Sequence, residues 1–170
     1  MQIKLMVDEY EVQLGHETLE SLVGELRRQD ESLVDLFHKL AQSNMAGVRA
    51  AVARNGVISE ETVAILASDS SPEVIDPLVS AQGGKLTESA LVQIIQRNWS
   101  GVNRSIAQNL EDYNQSDITA VAKLLAGSAD PSVRGALASN GRAPKLIVRQ
   151  LLTDPDPDVR RMAQDTLTGR

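Results

Sequence analysis

Cysteine is absent from the 170 residues, and only four side chains are aromatic: one Trp, two Tyr and one Phe. Without thiols there can be no disulfide, thiolate nucleophile or zinc–sulfur centre. Bases are in deficit, 17 against 23 acids, for a net charge of −6 and a pI near 4.9. That balance disfavours nucleic acid as a partner, because phosphate binding needs a basic surface. Long apolar runs are missing too, so no membrane span is expected. The opening MQIKLMVDEYEVQL has neither the basic start nor the apolar stretch of a secretory leader, and a cytoplasmic location is the expectation. The apolar fraction of 42% is nevertheless enough for a core.

Catalytic signatures are lacking as well. His16 and His38 fall in separate elements, too few to anchor a metal. Asp154, Asp156 and Asp158 are spaced like calcium ligands, but prolines intervene and the glycine and distal glutamate of such a loop are missing, so helix capping is expected. Neither a Gly-rich phosphate loop nor a nucleophile elbow is present. No catalytic, metal or cofactor site is expected.

What is there begins with an acidic N-terminal stretch. Residues 1–41 hold nine acids and four bases, whereas residues 42–170 are nearly neutral, with 13 bases and 14 acids. Ile3, Leu5 and Val7 alternate with polar or long side chains, and so do Tyr10, Val12 and Leu14, with the phase flipping across Asp8-Glu9. A two-residue turn there pairs Val7 with Tyr10, Leu5 with Val12 and Ile3 with Leu14, which puts all six on one face of a hairpin. Gly15 breaks the pattern, and Leu19, Leu22, Val23 and Leu26 then form one helical stripe. The spacing predicts a helix over 17–28 that covers the hairpin, making residues 1–30 a cap.

From residue 31 onward the chain repeats itself. With Val48, Val74, Val102, Val133 and Val159 as anchors, the eleventh residue before each is Phe37, Val63, Leu91, Ala122 or Val148. The eighth before is Leu40, Leu66, Ile94, Leu125 or Leu151, and the seventh Ala41, Ala67, Ile95, Ala126 or Leu152. The fourth after is Val52, Leu78, Ile106, Leu137 or Ala163. These columns read as one buried stripe on a first helix and another on a second. The anchors lie 26, 28, 31 and 26 residues apart, with the variation in the loops after the second helices. Ser, Asp or Pro precede the second helices, as helix starts prefer. Asn55-Gly56 and Asn140-Gly141 follow them, suited to a left-handed terminating turn. The expectation is a mostly α-helical chain: a short α-solenoid of about five helix pairs over 31–170.

VRAAVARN, VNRSIAQN, VRGALASN and DPDPDVRRMA resemble the second-helix motif of HEAT-like repeats, and the short period with Asn-Gly endings is similar to the leucine-rich-repeat-variant branch of that superfamily. The resemblance implies a structural role for Arg49, Arg134 and Arg160, bonded to turns between repeats with Asp130 and Asp156 as counterparts. The second repeat departs from the motif, with Ile75 in the arginine column and Asp76-Pro77 inside the expected helix. There Asp76 would cap a delayed helix starting at Pro77. HEAT-like DNA-alkylation glycosylases use a basic surface and aromatic side chains, which this composition does not supply. DPDPDVRRMA is also similar to repeats of bilin lyases, an alternative of the enzymatic kind.

Opposite the buried stripe of the first helices, about 13, 10, 9 and 6 residues before each anchor, side chains should face water. Ile65, Val92, Gln93, Lys123, Leu124, Arg149 and Gln150 lie there, a mixed apolar and polar row, and Trp99 stands three residues before its anchor in a loop. Apolar spots rimmed by polar groups mark interaction surfaces. These eight are the candidate contacts of a non-enzymatic protein-binding module, a scaffold, adaptor or chaperone-like factor with a protein or peptide partner. Self-association through the N-terminal hairpin is the structural alternative.

Overall fold

The computed structural model describes residues 4–7, 9–26, 31–113 and 118–169. It is mostly helical, and no helix among the described residues is long and apolar enough to cross a membrane. Strands β1 (Lys4–Val7) and β2 (Tyr10–Gln13) open the chain as an antiparallel pair, with Leu5 opposite Val12 and Val7 opposite Tyr10. This is the register that the alternation predicts. Ile3, Asp8, and the end of the expected helix at residues 27–28 lie outside the described residues.

Helix α1 (His16–Glu25) follows Gly15 and leaves Tyr10 and Val12 of the hairpin uncovered. Tyr10 is 76% exposed and Val12 45%, and the predicted stripe of α1 is itself only half used: Leu19 and Val23 are buried where α1 packs on α3 (Ala46–Arg54), whereas Leu22 is 39% exposed. The chain forms two compact units, Met1–Gln82 and Gly83–Arg170. The first unit also contains α2 (Glu31–Leu40), α4 (Glu60–Ala67) and α5 (Pro72–Ala81). In it α1, α3 and α5 pack in succession, and α2 lies against α3 and α4.

The second unit holds α6 (Glu88–Gln96), α7 (Ser100–Gln108), α8 (Ile118–Ala126), α9 (Pro131–Ser139), α10 (Lys145–Gln150) and α11 (Pro157–Thr168), with short 3-10 turns between some of them. Here α7, α9 and α11 pack in succession, while α6, α8 and α10 form the neighbouring row. The core of each unit lies between such rows. All five anchor valines are buried, each at most 2% exposed, and so are all five residues four positions later. The columns eleven and eight before the anchors are buried too, each residue at most 4% exposed, whereas Ala126 and Leu152 of the adjacent column are half-buried.

Two local expectations are corrected. Helix α5 starts at Pro72, not Pro77, with Ser71 at its N-cap. Pro77 stands inside it, where its missing N–H removes one helical bond, at a half-buried position beside exposed Asp76. Asn55 and Asn140 do not turn left-handed: both are extended, with φ near −80°. Their side chains do the work instead. Asn140 Nδ2 donates to the carbonyls of Ala107 and Gln108 at the end of α7, and Asn55 Nδ2 to those of Val23 and Leu26 at the end of α1. Each amide thereby satisfies carbonyls that a helix end leaves open, and α1 stands towards α3 as α7 does towards α9.

Candidate protein-binding surface

The arginine column is structural in geometry. Arg134 in α9 is buried and makes a two-pronged ion pair with Asp154, Nε to Oδ2 at 2.7 Å and Nη2 to Oδ1 at 2.9 Å. Its remaining nitrogen donates to the carbonyls of Ser128 and Ala129. Arg49 repeats the pattern, pairing with Asp69 twenty residues ahead and donating to the Ser43 carbonyl six residues behind. Arg160 keeps only the backward half, donating to the carbonyls of Asp154 and Pro155.

The counterparts expected from the sequence are therefore corrected. Asp130 and Asp156 accept backbone N–H bonds at the starts of α9 and α11, and the carboxylates that receive Arg49 and Arg134 are Asp69 and Asp154. The Arg134 guanidinium holds the Asp154 carboxyl below the ordinary range, and hydrogen bonds from Ser100 and Ser132 do the same for Asp130. At the same column Asn103 donates to the Ile95 carbonyl, and its buried Oδ1 has no hydrogen-bond partner among the described residues.

The eight candidate contacts divide between the units. Ile65, on α4 of the first, is half-buried. The others belong to the second. Trp99 caps α7 without a side-chain bond and is half-buried under the Arg97 guanidinium, 5.2 Å from the ring centroid. Asn98 between them takes the left-handed conformation, φ 58°, which Asn tolerates better than most residues. Val92 on α6 is half-buried and Gln93 exposed. Lys123 and Leu124 on α8, and Arg149 and Gln150 on α10, are all exposed.

Because α8 touches both α6 and α10, these side chains share one row of the unit. Leu146, 66% exposed, joins exposed Leu124 there, and exposed Lys145 precedes it. Sequence reasoning missed both. Leu146 lies thirteen residues before its anchor, in an outward column whose other members (Asp35, Glu61, Ser89, Ala120) carry no large apolar side chain. The helical phase was sufficient to find it.

A groove of about 510 Å³ opens on the other row, across α7, α9 and α11. Arg104, Gln108, Ser132, Gly135, Asp156 and Met162 are among its walls, and none of the eight candidates is. Gly135 lets α11 approach: a Cβ there would lie 3.1 Å from Met162 Sδ. His16 is exposed at the start of α1, and His38 Nδ1 lies 3.5 Å from Thr62 Oγ1. Among the described residues no three His, Asp or Glu side chains come together as a metal site would need. Compared with known proteins, the chain matches no family model, no curated protein and no solved structure.

Proposed function

We propose that this chain is a non-enzymatic, cytoplasmic protein-binding module: a short α-solenoid of HEAT or leucine-rich-repeat-variant type whose helical surface grips a polypeptide. Support for the repeat comes from the four uniformly buried columns and from the two arginine forks with identical offsets. The observation that carries the binding role is the α8–α10 face. Leu124 and Leu146 are two of the five large apolar side chains left exposed among the described residues, and they stand on adjacent helices. Exposed apolar groups rimmed by charge mark partner sites on such arrays.

Affinity capture from source-cell lysate tests the reading, with wild type beside a Leu124→Glu/Gln93→Ala bait and circular dichroism to confirm that both are folded. One protein retained by wild type and lost by the variant is the expected result. An empty wild-type lane, or a small chromophore co-purifying in place of a protein, would overturn the reading.

A further inference from the structure

We infer that the α8–α10 face takes an acidic polypeptide segment with leucine-type anchors; this rests on the binding-module reading and adds the chemistry of its partner. The sequence of α8, ITAVAKLLA, and that of α10, KLIVRQ, contain three bases and no acid. The first helices of the other unit have the opposite sign: α2 and α4 carry Glu31, Asp35, Glu60 and Glu61 against Lys39. In a chain of net charge −6, a basic row is thus a local property and not a general one.

Its charges are also unspent. Lys123, Lys145 and Arg149 are exposed and make no ion pair among the described residues, whereas Arg161 on α11 is matched by Asp158 and Asp165. The one acid on neighbouring α6 is Glu88, in its first turn. Lys145 and Arg149 are four residues apart, on one side of α10, and so are Leu146 and Gln150. On α8 Lys123 adjoins Leu124. Each helix therefore offers a cation beside a leucine, which suits carboxylates alternating with apolar side chains. A 66% exposed leucine amid the cations favours such a peptide over a phosphate backbone.

The test is fluorescence anisotropy with the whole chain and three labelled peptides of equal length: one of Glu and Leu, one with Lys for Glu, one with Ser for Leu. The Glu/Leu peptide should bind at least about tenfold tighter than either relative and weaken as salt rises. Lys123→Glu/Arg149→Glu should move the preference to the Lys/Leu peptide, and Leu124→Ser/Leu146→Ser should abolish binding, with circular dichroism unchanged in both. Equal or tighter binding of the Lys/Leu or Ser peptide would overturn the acidic-anchor chemistry and leave the module reading standing. Binding that ignores both variants would overturn the location. An oligonucleotide bound where no peptide is, or wild type self-associating through this face in sedimentation, would overturn the inference; the oligonucleotide result would remove the module reading with it.

Discussion

Arg134 and Asp154 are the clearest place to ask what one residue contributes. Both are buried and each prong of the pair is a charge-assisted bond, so removing one partner leaves the other charge stranded. Asp154→Ala should cost about 3 kcal/mol in urea unfolding. The pair also sets a pH dependence. Because the folded Asp154 carboxyl lies below the ordinary range, its contribution is complete above about pH 4, where the unfolded carboxyl is also ionised. It fades as pH falls below that and is lost once pH passes the folded value. Asp154→Asn should flatten the acid limb of a stability profile; parallel limbs for wild type and variant would contradict this. Asn140→Ala should cost about 1–3 kcal/mol, since the buried Ala107 carbonyl and the partly buried Gln108 carbonyl lose their donor, whereas Asn140→Asp would test whether the amide hydrogens are what matters. None of these pairings was legible in the sequence beyond the arginines themselves. A column of arginines announces a shared role, but its acceptors sit on other elements, and Asp130 and Asp156 were nearer in sequence and already engaged as caps.

At the scale of elements, periodicity was a dependable guide wherever a stripe has two neighbours to bury it. The first-helix and second-helix stripes are buried at almost every named position, and the hairpin register follows its alternation. What periodicity could not tell was which neighbour a stripe would meet. Helix α1 has an apolar stripe for which the sequence offers the hairpin as cover, yet Leu19 and Val23 are buried where α1 meets α3, whose end also supplies the Asn55 amide to the carbonyls at the end of α1. Leu19→Ala should therefore lower the unfolding free energy by about 2–4 kcal/mol. Tyr10→Ser with Val12→Thr should change it by less than about 0.5 kcal/mol. Thermal unfolding followed at the helical circular-dichroism minimum separates the two; an equal loss for both would mean that the hairpin supports the helices after all. Pro77 differs from its expected place for a related reason. Its position reads as a helix start, but Pro72 already supplies one, and the buried row Val74, Ile75 and Leu78 holds the helix straight through.

On the largest scale the chain divides into two compact units, and within each the contacts join a helix to its near neighbours, so damage should remain near its origin. Phe37→Ala, in the core of the first unit, should raise amide hydrogen exchange chiefly within 31–82. Uniform acceleration out to α11 would show one cooperative block instead. The candidate surface was half legible at this scale: the outward columns located the α8–α10 face, but not the groove across α7, α9 and α11, which depends on how closely second helices approach. The two arginine forks lead further. Each spans twenty residues, and both fall in intervals where successive anchors are 26 residues apart; among the described residues the intervals of 28 and 31 have none. The fork thus works as a ruler, fixing how much chain can separate consecutive turns. A duplicated 26-residue block taken from 134–159 would bring its own arginine and its own receiving aspartate, so lengthening the chain at this point by a whole block is the insertion that the fork would accept most readily.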